Sequence, residues 1–312
     1  MTDFRHTPTV SVFMPTYNQE HLITEAIESV LAQDYSDWEL IIGDDCSTDK
    51  TYQIAKQFQL KYPDKIYLTR NANNLGITKN FNNILKKCSG KYVAFFAGDD
   101  IFLPNKLSSQ VSLMQTSSDI ILSYHDIEVF DSDTNNTIRY WRSGKKGSQP
   151  ITGDSKTVAK ALVKEGTKFM PALSVMVKRE SIPTEGHDER IPIASDWLLW
   201  IEICARNEGR IAYLDGVYAR YRRHANNITN DSENHQEDIF VTLALVESRY
   251  HFLTKYAQQR RARLYYKRAK EGVENKNYKL TRSLIRENIR HSGLSWKATR
   301  LWLKCIYKQF LQ

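Results

Sequence analysis

The sequence has little cysteine and no long apolar run. Its four cysteines, Cys46, Cys88, Cys204 and Cys305, lie far apart and form no C-x-x-C pair. That spacing argues against a zinc site or a disulfide framework and predicts reduced, buried or half-buried thiols. No stretch of about eighteen uncharged apolar residues occurs, so no membrane-spanning helix is expected. The first residues, MTDFRHTPTVSVFMP, lack a basic n-region followed by an apolar run. They do not read as a signal peptide, and a cytoplasmic location is expected. No repeat of fixed period is found. The 312 residues, 41% apolar and 26% charged, suffice for one large α/β domain plus an appendage.

Charge is divided unevenly. Residues 249–312 carry 17 Lys and Arg against three acids, a net of +14, which leaves −6 for residues 1–248 of a chain whose net charge is +8. A basic tail behind an acidic front suits an anionic partner, either nucleic acid or the anionic leaflet of a membrane. No nucleic-acid-binding motif accompanies the charge, which disfavours the first.

The first hundred residues alternate between two periodicities. Short apolar runs at 10–15, 38–43, 65–69 and 92–97 read as strands. Helical spacing of apolar residues at 20–33, 48–62 and 77–87 reads as helices, the second with Ser47 or Thr48 as N-cap. A β-α-β-α-β-α-β order predicts a mostly parallel sheet with helices on both faces. Beyond it, helices are expected at 104–115, 155–165 and 195–206, and strands at 120–130, 172–178 and 210–222. Residues 131–152 read as a polar loop. From 236 onward nearly everything reads as helix, broken near 275–277 and 292–293, with a helical hairpin around the first break. The expected domains are 1–230 and 231–312.

Ligands of such sheets sit beyond the carboxyl ends of the strands. Thr16-Tyr17-Asn18, Asp44-Asp45 and Asp99-Asp100 all fall there. Two adjacent carboxylates at a strand tip repel unless a cation neutralises them, and a hard divalent cation with oxygen ligands does so. The alternative for each pair is plain helix capping: Asp99-Asp100 for the helix near Pro104, Asp45 and Ser47 for the helix after the second strand. Both pairs at one sheet edge favour a ligand.

The segments VSVFMPTYN (10–18), ELIIGDDCSTDKT (39–51), NLGITKN (74–80), YVAFFAGDD (92–100) and Asp196-Trp197 occur in that order. Together they resemble the family 2 glycosyltransferases of GT-A fold, over residues 9–230. The resemblance implies a Rossmann-like nucleotide-sugar domain and inverting, metal-dependent hexosyl transfer. It implies that Thr16, Tyr17, Asn18 and Glu20 cup the base and ribose, and that Asp44 or Asp45 hydrogen-bonds the base. Asp100 would bind Mn²⁺ or Mg²⁺, with Asp99 facing ribose or sugar. Asp196 would be the catalytic base, against the alternative of an ordinary helix N-cap. In YRRHANNIT (221–229), Arg222 or His224 would contact phosphate or metal, and Lys79 would add a cation.

Departures from the family pattern are specific. The first aspartate of the usual D-x-D-D is Ala97, the glycine usual after the second aspartate pair is Cys46, and Ser195 stands where a glutamate often precedes the base. The resemblance further implies bacterial O-antigen, capsule or exopolysaccharide assembly, a UDP-hexose donor and a free or polyprenyl-diphosphate-linked saccharide acceptor. Two competing readings are a nucleotidyltransferase and a degenerate binding module on membranes. Against the first, Pro15-Thr16-Tyr17-Asn18 is not a glycine- and lysine-rich triphosphate loop. Finally, SWKATRLWLKCIYKQFL (295–311) places Trp296, Leu303, Ile306 and Phe310 together on a helix, with Lys297, Arg300, Lys304 and Lys308 as a second stripe. Such a helix lies in a membrane interface or packs on the protein with its charged face in water.

Overall fold

β-branched runs and amphipathic stretches alternate along the chain, and the layers follow from that alternation. The computed structural model describes residues 7–141, 149–225, 227 and 232–310. The chain forms two compact units, Met1–Asp238 and Ile239–Gln312.

The first unit runs β1 (Val10–Thr16), α1 (Ile23–Leu31), β2 (Trp38–Asp44), α2 (Thr51–Lys61), β3 (Ile66–Arg70), α3 (Ile77–Leu85), β4 (Tyr92–Phe95) and β5 (Ile101–Phe102). It continues with α4 (Lys106–Gln115), β6 (Ile120–Asp131), β7 (Thr137–Tyr140), β8 (Gly153–Asp154), α5 (Ser155–Glu165), β9 (Met176–Lys178), α6 (Ser195–Arg206) and β10 (Arg210–Arg223). The sheet order is β3-β2-β1-β4-β9-β6-β10-β5, with β7 paired to β6 and β8 to β10. Strands β3, β2, β1 and β4 are parallel, as are β6 and β10. β9 runs antiparallel between β4 and β6.

β1 lies between β2 and β4, with Val10 opposite both Trp38 and Tyr92. Helices cover a parallel sheet on both faces, so its strands read as continuous apolar runs. Val12, Met14, Leu40, Ile42 and Ala94 join Ile23, Ile27 and Val30 of α1 in one buried cluster. Ile27→Ala there would cost about 2–5 kcal/mol. The parallel register brings the C-terminal ends of β1, β2 and β4 to one edge. β10 reaches the same region by bending: its register against β6 shifts between Leu214 and Val217, around Gly216 at φ +118.

Several elements differ from the sequence expectation. The 131–152 loop contains β7, antiparallel to β6; all four β7 residues are exposed, so no apolar alternation marks it. Residues 142–148 of that loop lie outside the described residues. The expected strand at 172–178 opens as a 3-10 turn, Ala172–Ser174, and only Met176–Lys178 is strand. α4 starts at Lys106, two residues beyond Pro104, with Asn105 before it in the left-handed region. α2 starts at Thr51, and neither Ser47 nor Thr48 caps it; Asp49 accepts from the Thr51 N–H.

After β10 come α7 (Ser232–Arg249), α8 (Thr254–Glu274), α9 (Tyr278–Ser292) and α10 (Trp296–Phe310). Two of the breaks fall where polar turn residues stand; a third, the 3-10 turn His251–Leu253 between α7 and α8, differs from the expected continuous helix. Asn277 caps α9 by accepting from the Leu280 N–H, and Gly293 at φ +74 ends that helix. α8 and α9 approach closely at Gly272, where a Cβ would come within 2.6 Å of Thr281 Oγ1. Ala269, Val273, Leu284, Ile285, Leu301 and Cys305 belong to the buried core of this unit. Among the described residues no helix is long and apolar enough to cross a membrane.

Candidate active site

The loops after β1 and β2 are zipped together by side chains the sequence nominates. Asn18, at φ 50, donates its N–H to Ser47 Oγ, and its Oδ1 accepts from the Thr48 N–H at 2.9 Å. Glu20 accepts from the Lys50 N–H and donates its own N–H to Asp49. Gln19, absent from the sequence expectation, donates its N–H to Thr51 Oγ1 and accepts from Thr16 Oγ1 at 2.7 Å. Asn18 and Glu20 therefore shape this loop, while Tyr17 stands exposed on it.

The tip of β4 packs under the same loop. A Cβ on Gly98 would lie 2.4 Å from Gln19 Oε1 and 2.9 Å from Thr16 Oγ1, so a larger residue would require these side chains to move. Asp44 and Asp45, both buried, divide their roles. Asp45 accepts from Asn71 Nδ2 and from the N–H groups of Leu75 and Gly76, and so fixes the entry to α3. Asp44 Oδ2 accepts from the Ser47 N–H and lies 3.3 Å from Arg70 Nε, whereas its Oδ1 has no hydrogen-bond partner. Burial pushes the Asp44 carboxyl up, outweighing the pull of Ser47 and Arg70. The buried orphan oxygen makes Asp44 the better of the two to meet a ligand N–H. Lys79 is exposed on the second residue pair of α3.

Asp99 and Asp100 do not cap α4. They meet the end of β10 instead. The Arg222 N–H donates to Asp100 Oδ1 at 3.0 Å, and Arg222 Nε donates to the Asp99 carbonyl at 2.8 Å. The Arg222 guanidinium also pairs with Glu25 of α1 and lies over the Phe130 ring. His224 Nε2 sits 3.1 Å from Asp99 Oδ2, so the imidazole is set against Asp99 rather than Asp100. Asn227 braces the turn: its Nδ2 donates to the Arg222 carbonyl, and its Oδ1 accepts from the His224 N–H. Residues 226, 228 and 229 of the YRRHANNIT segment lie outside the described residues.

Burial and the neighbouring Asp99 charge hold the Asp100 carboxyl well above the usual range. A cation beside the pair would relieve both effects. Two adjacent carboxylates with an imidazole form a donor set suited to a divalent metal. Among the described residues, no three His, Cys, Asp or Glu side chains converge into a cage.

Asp196 is the second residue of α6, not its N-cap; that position is Ala194. Its Oδ1 accepts from the Trp197 N–H at 2.8 Å. Its placement depends on residues absent from the sequence expectation. Thr78 Oγ1 bonds the Ile191 carbonyl at 2.6 Å and Ser195 Oγ at 3.1 Å, and His187 Nδ1 lies 3.0 Å from the same hydroxyl. Asp238 accepts from the N–H groups of Ile193 and Ala194 at 2.9 and 2.8 Å. The i, i+4 pair Thr78 and Asn82 on one face of α3 was the available signal; Asn82 accepts from the His187 N–H and donates to its carbonyl. Thus the α3 entry held by Asp45 leads through Thr78 to Ser195 and Asp196.

Comparison with known proteins bears on the fold and the family. A stretch of 125 residues, 40% of this chain, is 38% identical to the UDP-Glc:α-D-GlcNAc-diphosphoundecaprenol β-1,3-glucosyltransferase WfgD of Escherichia coli, and spans 48% of that protein. The crystal structure of S. aureus TarS 1–349 in complex with UDP-GlcNAc matches with a TM-score of 0.58 at 16% identity, over 95% of this chain and 79% of that one. The mannosyltransferase PcManGT from Pyrobaculum calidifontis, in complex with GDP-Man and Mn²⁺, matches with a TM-score of 0.55 at 14% identity, over 98% and 81%. The fold is that of the GT-A enzymes. The family model Glycosyl transferase family 2 matches residues 11–176, and the chain belongs to that family of glycosyltransferases.

Proposed function

We propose that this enzyme transfers a hexose from a UDP-hexose, with inversion, to a saccharide carried on a polyprenyl diphosphate in bacterial O-antigen, capsule or exopolysaccharide assembly. The observation that carries the reading is the meeting of Asp99-Asp100 with Arg222 and His224 at the sheet edge where the β1 and β2 loops also lie. The donor class draws on TarS, whose structure holds UDP-GlcNAc, and on WfgD, named for UDP-Glc and a diphosphoundecaprenol-linked sugar.

Asp44 reads the base through its unpartnered oxygen, and Tyr17 covers it. Thr16, Asn18 and Glu20 hold the loop around base and ribose. Asp100, beside the Asp99–His224 pair, would hold Mn²⁺ or Mg²⁺. When bound, the ion neutralises charge on the departing diphosphate. Arg222, and Lys79 near the start of α3, would supply positive charge to the diphosphate. Asp196 accepts the proton of the acceptor hydroxyl as its oxygen attacks the anomeric carbon from the face opposite the leaving group. A single displacement inverts that carbon. The work takes place on the cytoplasmic side, peripherally at the membrane, where a polyprenyl-linked acceptor is presented.

A donor screen tests the reading. Protein with Mn²⁺ is given UDP-, GDP- and dTDP-sugars, and nucleotide release is scored with and without a lipid-linked acceptor. Turnover of one UDP-hexose, lost in Asp100→Ala, is expected. No binding or turnover of any nucleotide sugar would overturn it.

A further inference from the structure

α10 presents three stripes, and only one is used by the fold. Ala298, Leu301 and Cys305, spaced at three and four residues, are buried in the core of the second unit. On the opposite side Trp296, Leu303, Ile306, Tyr307 and Phe310 face outward. Trp296 is 76% exposed and Phe310 89%, values far from those of core aromatics. Between these stripes run Lys297, Arg300, Lys304 and Lys308, all exposed, and none forms an ion pair with an acid among the described residues. Leu294, just before the helix, is 77% exposed and extends the outward face.

A water-soluble face would not concentrate five large apolar side chains beside four cations. Two occupants fit such a face physically: a second copy, or a surface that is apolar within and anionic outside. A second copy in antiparallel register would bring cation rows of like sign together, which opposes pairing. An anionic lipid surface satisfies both stripes at once, with aromatics in the headgroup boundary and lysines on lipid phosphates. We infer that α10 is an interfacial anchor, lying in the plane of an anionic bilayer through Trp296, Leu303, Ile306, Tyr307 and Phe310. The inference rests on the proposed reading only for its purpose, which is to keep the enzyme beside a lipid-linked acceptor.

The test uses the full chain and vesicles of phosphatidylcholine with or without about one-third phosphatidylglycerol. The expected result is co-sedimentation with the anionic vesicles only, weakened by salt, and a blue shift of tryptophan emission. Lys304→Gln with Lys308→Gln should weaken partitioning by about 30-fold. Trp296→Ser with Phe310→Ser should abolish the binding, while an unchanged thermal melt shows both variants folded, since all four side chains are exposed. Unchanged pelleting in either variant would overturn the anchor. So would concentration-dependent dimerisation through α10 without vesicle binding. Nucleotide release with a soluble acceptor separates the two proposals: it is unaffected in the α10 variants if only the anchor fails, and absent in every form if the transferase reading fails.

Discussion

The main-chain N–H of Arg222 donates to Oδ1 of Asp100 at 3.0 Å, joining residues 122 apart in sequence. This bond holds the β4 tip against the end of β10. It also occupies one oxygen of a carboxyl whose ionised form is disfavoured by burial and by Asp99. Asp100→Asn keeps an acceptor for Arg222 and removes the buried charge. Turnover should fall at least about 100-fold, while the denaturation midpoint stays or rises. A large loss of stability would show that the charge itself holds the site together.

Asp196→Asn keeps an oxygen for the Trp197 N–H and removes the proton acceptor. The rate of transfer should fall by about 10²–10⁴, with donor affinity unchanged. Stability should drop by only about 0.3–1 kcal/mol, the helix-terminus contribution. Equal loss of donor binding would place Asp196 on the donor side instead.

Asp238 clamps the two residues before α6. Asp238→Ala strands two N–H donors, at a cost of about 1–3 kcal/mol each. If the clamp positions Asp196, kcat falls and the donor KM does not. Steady-state kinetics below the new melting temperature separate these.

His187 is packed among Phe13, Phe81 and Phe95, and burial pushes its pKa down to about 3. The unfolded chain takes a proton there below about 6.5. The unfolded state therefore binds more protons between these values, so the stability contribution is full above pH 6.5 and is lost as pH falls toward 3. His187→Asn should flatten the stability-versus-pH slope by up to about 1.4 kcal/mol per pH unit in that window. Urea midpoints at pH 4.5, 5.5 and 7 measure it.

Cys46 sits at φ 62 where glycine is usual. A left-handed non-glycine residue costs about 1–2 kcal/mol, and glycine returns about 0.5–1 through unfolded-state entropy. Cys46→Gly should thus stabilise by about 0.5–1 kcal/mol. The long Sγ contact to the Ala72 carbonyl, 3.7 Å, is too weak to reverse the sign.

The strand tips were readable because apolar runs end abruptly in Thr16, Asp44-Asp45 and Asp99-Asp100, and parallel topology sends them to one edge. What each tip touches was not. Asp45 spends both oxygens on Asn71, Leu75 and Gly76, and Asp44 keeps one unspent, a distinction no local pattern encodes. Thr78 and His187 are ordinary residues in sequence and converge on the Ser195 hydroxyl only once the fold brings α3 to α6. β7 was missed because exposed edge residues carry no apolar period. The helical tail is plain from its periodicity, and two of its breaks from Asn277 and Gly293; the turn at His251–Leu253 carries no Gly, Pro or Asn to mark it.

Gly98 has one more consequence. Because it carries no side chain, this residue just past β4 lies directly against the Thr16 and Gln19 side chains. A substituent there would push against the Thr16–Gln19 hydrogen bond. Gly98→Ala would therefore displace the Gln19 and Thr16 side chains at the strand edge without altering any charged group.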